Sequence, residues 1–339
     1  MPPLTHRYSN NISNKKILII GPYPPPFGGV SIHIKRVTEK LKLQNNTVAI
    51  FNTATKRTKT KAIFSLLKKL IFTRPHIVYY NEPTESLQKL ALVTLLKYLF
   101  FYQLVTIDHD CRLLYNFSPR KKKLFRMLMK RVNHAVVMGD TTEKCYVDNQ
   151  VSKVKKSVES PFLPPVLREE KEILWQYPVG VHKFLSTRSP LLTANAFAPI
   201  LIDGKDLYGF DMCIELIKTL KQTYPNIGLI FGVCTLGTEE QKKYFATIEE
   251  KIQKLKLESS FYFFFNEQEF WPLIKLSDLF IRPTLSDSFG ISVQEAITVG
   301  TPAIASNVCQ RPEGTILFEV GSATQLLDKT TTMLEKKHA

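Results

Sequence analysis

The sequence predicts an α/β protein built as two doubly wound domains facing across a cleft. Three observations carry the prediction. At 339 residues the chain is long enough for two cores. Short apolar strands alternate with helix-period segments in two separate runs, the pattern of βαβ units on parallel sheets. A proline-bearing stretch without periodicity, Ser160 to Glu172 with Pro161, Pro164 and Pro165, separates the runs. The domains are therefore placed at 1–168 and 169–339.

In the first run, Lys16–Ile20 is a buried strand closed by Gly21 and the proline-rich loop Pro22–Phe27. Gly28 and Gly29 open a helix that carries Val30, Ile34, Val37 and Leu41 on one face, at amphipathic spacing. Strands follow at Thr47–Phe51, His76–Tyr80, Gln103–Ile107 and His134–Met138. Helices fit at about 61–72, 84–101, 118–131 and 140–149. The second run starts near residue 185. Its strands fit Leu191–Ile202, Ile227–Gly232, Phe261–Phe265, Leu279–Arg282, Pro302–Ser306 and Thr315–Phe318. Its helices fit at about 210–224, 238–257, 267–276, 292–299 and 322–336. The last of these either completes the second domain or crosses back to pack on the first.

Composition narrows the function classes. With 44% hydrophobic and 22% charged residues the chain is globular. No stretch approaches the roughly 20 apolar residues that span a bilayer; Leu90–Leu104 is shorter and carries Lys97. Met1–Asn14 is polar and lacks the apolar core of a signal peptide, so the expected location is the cytoplasm. Cys111, Cys145, Cys213, Cys234 and Cys309 form no C-x-x-C pair and have no neighbouring His at ligand spacing. That argues against a zinc site and a disulfide framework and for buried thiols.

Charge is the most informative bulk property. Residues 1–170 hold 29 Lys and Arg against 11 Asp and Glu, a net of +18, whereas residues 171–339 hold 17 against 19. A polyanionic surface is expected to face the first domain only. Its basic runs, Lys56–Lys61 through Lys69 and Arg120–Lys123 through Arg131, are helix-associated, with Phe and Leu between. They are either solvated faces or basic amphipathic helices for an anionic membrane leaflet at the inner face of the cell membrane. No RNP-like strand, zinc finger or helix-turn-helix accompanies them, so nucleic acid is not an expected partner.

The strongest chemical signal is Arg282-Pro-Thr-Leu-Ser-Asp287-Ser-Phe289-Gly290-Ile291-Ser-Val-Gln-Glu295-Ala, followed by Gly300-Thr-Pro302. Asp287 lies in a loop at a strand's carboxyl end, where open α/β sheets bind ligands. Gly290 lets backbone approach a ligand, and the helix start that follows favours an anion or a hydroxyl-rich group. The second signal is Gly21-Pro-Tyr-Pro-Pro-Pro-Phe-Gly28-Gly29, whose glycines at a helix start make an anion cradle. The third is Asp108-His109-Asp110 at the end of a first-domain strand.

The first of these stretches resembles the retaining glycosyltransferases of family 4. Their signature is two acids with seven residues between, in the context Pro-Ser-x-x-Glu-x-Phe-Gly followed by Glu-Ala-x-x-x-Gly-x-Pro. Here Asp287 stands where the family usually has Glu, and Glu295 is the second acid. The Asp-Leu-Tyr-Gly segment 206–209, Arg282-Pro-Thr and Arg311-Pro-Glu-Gly314 resemble a subgroup associated with bacterial surface polysaccharide assembly, in which the first acid is commonly Asp.

The resemblance implies a GT-B fold of two Rossmann-like domains and a UDP- or GDP-type sugar donor. It implies Asp287 with Phe289, Gly290 and Ile291 on the donor sugar, and Glu295 on the ribose. Gly28 and Gly29 would approach the diphosphate, and His109 would face the sugar unless it is a satisfied structural histidine. One departure concerns the phosphates. The family holds them with an Arg and a Lys just before a helix-opening Gly; here Tyr208 precedes Gly209 and no Arg stands upstream, which leaves Lys205 or Arg282 for the charge.

The expected activity is sugar transfer with retention to a glycan or lipid-linked glycan, without cofactor or metal. The alternatives are a catalytically silent module that binds glycan or scaffolds transferases, and, more remotely, a sugar-nucleotide epimerase.

Overall fold

A computed structural model of the chain describes residues 12–338 apart from Lys56, Ser152, Asn266, Glu267 and Ser288. Lys56 of the first basic run and most of Met1–Asn14 thus lie outside the described residues. The chain divides into two compact units. The first runs to Pro24 and resumes over Val30–Leu163; the second is Pro164 onward together with Pro25–Gly29.

The first unit alternates β1 (Lys16–Gly21), α1 (Gly29–Leu43), β2 (Thr47–Asn52), α2 (Lys59–Thr73), β3 (Ile77–Asn81), α3 (Leu87–Phe100), β4 (Gln103–Asp108), α4 (Pro119–Met129), β5 (His134–Met138), α5 (Gly139–Asp148) and β6 (Lys156–Glu159). Its six strands run in the order β2-β1-β3-β4-β5-β6, all neighbours parallel. Strand periodicity sorts the core into two layers. Leu18, Ile20, Val78 and Tyr80 face Leu66 and Leu70 of α2, Leu90 and Val93 of α3, and Phe125 of α4. Ile17, Ile19 and Tyr79 face Ile34, Val37 and Leu41 of α1. Thr58, Ser86 and Ser118 cap α2, α3 and α4 by accepting from the backbone N–H three residues on, which explains where each helix starts. Strand β6 has only four residues, two of them charged, too few to read in advance.

One expectation fails here. Cys111 and Cys145 are not separate thiols but pair as a disulfide, Cα to Cα 6.3 Å. They lie 34 residues apart, and only the packing of α5 beside the turn after β4 brings them together.

The second unit begins with α6 (Glu170–Trp175) and α7 (Val179–Thr187), two short helices that the sequence reading passed over. Then come β7 (Leu191–Ala196), β8 (Leu201–Ile202), β9 (Lys205–Asp206), α8 (Phe210–Leu220), β10 (Gly228–Val233), α9 (Glu239–Lys254), β11 (Phe261–Phe265), α10 (Trp271–Leu276), β12 (Leu279–Arg282), α11 (Ile291–Thr298), β13 (Ala303–Ser306), β14 (Ile316–Phe318) and α12 (Ala323–His338). The large sheet is parallel, in the order β11-β10-β7-β12-β13-β14. The expected strand Leu191–Ile202 stops at Ala196; beyond it β8 and β9 form an antiparallel hairpin around Asp203-Gly204, a dipeptide that favours such turns. The last helix, α12, packs on α8 and sends Leu326 and Leu334 into the second unit's own core.

Candidate active site

In the second sheet the chain moves from β7 to β10 and β11 on one side, then returns to β12, β13 and β14 on the other. The carboxyl ends of β7 and β12 therefore flank a topological switch point, where open α/β sheets bind ligands. Asn195 near the end of β7 and Arg282 at the end of β12 stand there. Arg282 Nη1 donates to the Asn195 backbone O and to Asn195 Oδ1, both at 2.8 Å. Ser292 Oγ donates to the same Oδ1 at 3.0 Å, tying the first turn of α11 to β7.

Asp287 is the centre of the constellation. Its Oδ2 accepts from Arg282 Nε at 3.1 Å and from Arg311 Nη1 at 2.8 Å. Burial alone would raise its pKa, but the Arg282 and Arg311 charges outweigh it and hold the carboxyl below its usual range. Arg311 is itself buried. It donates from Nε to the Ser306 backbone O at 2.9 Å, and from Nη2 to Thr284 Oγ1 at 3.1 Å and Ser306 Oγ at 3.3 Å. Two guanidinium ions around one carboxylate leave a net positive centre at the strand ends, suited to an anion.

Two glycines make this geometry reachable. Gly290, at φ 85°, precedes α11, and a Cβ there would stand 2.5 Å from Arg311 Nη1. Gly209, at φ 78°, precedes α8 and packs against Pro283, the residue after Arg282. Tyr208 occupies the position where the family resemblance has a lysine. Its ring lies 5.3 Å below the Arg282 guanidinium, so an aromatic face supports the cation that β12 supplies.

The other residues singled out in the second unit take these places. Glu295 is buried on α11, one helix turn beyond Ser292, and Ile291 opens that helix. Phe289 is half-buried in the loop before it. Gly28 and Gly29 belong to the second unit with the rest of Pro25–Gly29. Gly28 abuts the Phe197 ring and Gly29 abuts Ile291 Cδ1, while the Phe27 backbone O accepts from Cys234 Sγ at 3.1 Å. Lys205 lies exposed on the hairpin strand β9 and takes no part in the bonds that join Arg282, Asp287 and Arg311. Arg311 and Asn195 were not assigned from sequence. Arg311 follows Asp287 by 24 residues across β13, and nothing local marks the contact. Among the described residues no group of three or more His, Cys, Asp or Glu side chains is placed to share a metal ion.

In the first unit His109 follows β4, and its Nε2 lies 3.2 Å from Asn81 Oδ1 at the end of β3. With Nε2–H donating to that amide oxygen, Nδ1 is the acceptor nitrogen. The His33 ring packs edge-on, with centroids 4.8 Å apart. Burial pulls the His109 imidazole down to about 4 from an ordinary 6.5. Asp108 beside it is wholly buried, accepts from Tyr146 OH at 2.9 Å, and is pushed by burial up to about 7, a structural role.

A depressed folded pKa means that His109 stabilises the fold while neutral, and that this contribution is lost as pH falls from the ordinary value through about 4. The His109 ring resonance in a proton NMR titration is accordingly expected to stay unchanged from pH 8 to 5. A midpoint near 6.5 would contradict this burial account.

Comparison with known proteins adds three findings. Residues 205–336 match the model of the family described as glycosyl transferases group 1. A stretch of 125 residues is 30% identical to the lipopolysaccharide glucosyltransferase WaaG of Escherichia coli K12; it covers 35% of this chain and 32% of that protein, about a third of the relative's length. Solved structures align over nearly the whole chain. A glycosyltransferase from Rickettsia africae matches with TM-score 0.68 and 15% identity, covering 95% of this chain and 89% of that one. HepE of Anabaena, solved with UDP and glucose, matches with TM-score 0.64 and 14% identity, covering 95% and 91%. Sucrose-phosphate synthase of Thermosynechococcus elongatus matches with TM-score 0.66 and 14% identity, covering 95% and 90%.

The fold is GT-B. Within the GT-B fold the family match spans β9 to α12 and so includes Arg282, Asp287 and Arg311, which build the charged centre, and Glu295 on α11.

Proposed function

We propose that the protein is a retaining, metal-independent glycosyltransferase of family 4. It moves a sugar from a nucleoside diphosphate-sugar to a glycan or lipid-linked glycan, in the assembly of a bacterial surface polysaccharide at the inner face of the membrane. The observation that carries the reading is the Arg282–Asp287–Arg311 centre at the β7/β12 switch point, next to the start of α11.

In this reading the two guanidinium groups stabilise the charge that develops on the departing diphosphate. They do so in place of the lysine that Tyr208 has replaced. Asp287, held ionised by the arginines, accepts from a donor-sugar hydroxyl, and Glu295 accepts from the ribose diol. Phe289, Gly290 and Ile291 carry the backbone of the sugar site, and Gly28 and Gly29 approach the diphosphate. Neutral His109 offers an acceptor nitrogen to the sugar. UDP in the HepE structure and the glucosyl chemistry in the name WaaG support a UDP-type donor. The excess of cations in residues 1–170 supports contact with an anionic leaflet.

The test is a thermal-shift panel of UDP, GDP, ADP and their sugar conjugates, with and without EDTA. A ligand that binds the folded state raises the midpoint by mass action. A shift with one nucleotide that EDTA does not alter is the expected result. No shift at millimolar ligand would move the reading to a silent binding module. Within the same panel Glu295→Ala is expected to weaken nucleotide binding by about 1.5–3 kcal/mol, the loss of one charge-assisted hydrogen bond. Unchanged affinity would remove Glu295 from the ribose.

A further inference from the structure

The helices α2 and α3 of the first unit do not close on each other. Between them lies a cavity of about 450 Å³. Its apolar lining includes Ile20, Phe51 and Tyr80 from the strand ends and Ala62, Leu66 and Leu92 from the two helices. The space opens at the surface and is floored by buried core residues such as Phe51 and Leu66, the concave and largely apolar form of a ligand pocket.

The lining is asymmetric in charge. Arg57, Lys59 and Lys89 stand among the lining residues, and no carboxylate does so among the described residues. The Arg57 guanidinium is already oriented: Nη1 donates to the Asn52 backbone O at 3.2 Å, and Cζ lies 5.2 Å over the Phe51 ring. An apolar chamber with several cations at its edge fits a molecule with an alkyl chain and an anionic head. Free phosphate would have no use for the chamber, and a neutral hydrocarbon none for the cations.

The outer surface of the same two helices points to the source of such a molecule. Phe64 and Phe72 on α2, Leu95 and Leu99 on α3, and Phe101 at its end are all exposed, the last at 90%. Lys61, Lys68 and Lys69 are interspersed on α2. Exposed apolar side chains among lysines, on a half with net charge +18, complement an anionic lipid surface.

We propose that the slot between α2 and α3 binds a lipid phosphate, with its chain against Ala62, Leu66 and Leu92 and its phosphate on Arg57, Lys59 and Lys89. This deepens the transferase reading, on which it rests, by making the acceptor a lipid-linked one held from the membrane.

The test titrates the full chain calorimetrically with dodecyl phosphate below its micelle concentration, beside inorganic phosphate and dodecanol. Dodecyl phosphate is expected to bind at least roughly tenfold more tightly than either, since each lacks one half of the recognition. Ala62→Phe fills the chamber and is expected to lower that affinity by roughly tenfold or more. Arg57→Ala with Lys89→Ala, changes that leave the apolar walls intact, should produce a loss of similar size.

Equal binding of inorganic phosphate would overturn the proposal in favour of a plain anion site. Equal binding of dodecanol would reduce the slot to an apolar patch, and undiminished binding by both variants would place the ligand elsewhere. Nucleotide shifts are recorded on the same preparations. Nucleotide binding without dodecyl phosphate binding sinks the slot alone. The reverse result sinks the transferase reading and leaves the slot a lipid-phosphate site.

Discussion

Arg311→Ala is expected to destabilise the second unit by about 3–5 kcal/mol and to abolish nucleotide binding. Arg311 is buried, with 1% of its side chain exposed, and it answers four acceptors on three residues: Asp287 Oδ2, the Ser306 backbone O and Oγ, and Thr284 Oγ1. Alanine removes all of these donors at once. It leaves Asp287 buried with one of its two guanidinium partners gone, and breaking one side of a buried pair costs more than the pair contributes when intact. Arg311→Lys keeps the charge but cannot reproduce a fork that reaches Asp287, Thr284 and Ser306 together, so it recovers only part of the loss.

The measurement is urea unfolding followed by tryptophan fluorescence. Both tryptophans, Trp175 and Trp271, belong to the second unit, so the signal reports that unit alone. A cycle with Asp287→Asn isolates the pair, and the double variant should be less destabilised than the sum of the singles. The pH dependence has a definite sign. The arginines hold Asp287 below its ordinary pKa, so its ionisation stabilises the fold above the ordinary carboxylate range. That contribution is lost as pH falls through the lower folded value. Arg311→Ala should therefore lose less stability than the parent between pH 5 and pH 3. A loss under 1 kcal/mol at pH 7 would show that the constellation is not the rigid centre that the donor reading needs.

Much of this constellation was legible in the sequence, for reasons that also explain the gaps. The continuous apolar runs of Ile17–Ile20 and Ile77–Tyr80, buried on both faces as parallel strands are, and the helix-period segments between strands are local signals, and the two parallel sheets follow from them. Arg282, Asp287, Gly290 and Glu295 fall within fourteen residues, so a strand, a loop and one helix suffice to bring them near each other. Arg311 and Asn195 needed strand order. Asn195 meets Arg282 because β7 and β12 are neighbours, and Arg311 meets Asp287 because the chain doubles back after β13.

Lys205 illustrates the converse. Its charge drew it into the phosphate reading, but the Asp203-Gly204 turn places it on an exposed hairpin, while the position before Gly209 holds an aromatic ring. Arg282, at the end of β12, lies over that ring. The disulfide was illegible for the same reason as Arg311, since Cys111 and Cys145 are joined only by the packing of α5.

The junction between Tyr208 and Arg282 also carries the second large effect, at Gly209. Gly209→Ala is expected to cost about 3 kcal/mol or more and to remove nucleotide binding with it. Part of the cost is backbone: Gly209 sits at φ 78°, where a side chain adds about 1–3 kcal/mol of strain. The larger part is contact. The new Cβ would stand 2.5 Å from Pro283 Cγ and 2.6 Å from the Pro283 carbonyl O, distances that no rotamer relieves because one of the atoms is backbone.

Pro283 cannot yield easily. It follows Arg282 directly, and two residues later the Leu285 N–H donates to the Leu207 carbonyl at 2.9 Å, locking the two loops together. Relief must come from separating those loops, which would pull Tyr208 from beneath the Arg282 guanidinium and disperse the anion centre. Gly204→Ala supplies the comparison. Gly204 has nearly the same φ, 73°, but a Cβ there meets nothing within 4 Å, so only the backbone strain is expected, about 1 kcal/mol. If the two variants lost equal stability in the tryptophan-monitored unfolding, the Pro283 contact would not be the constraint that aligns Tyr208 with Arg282.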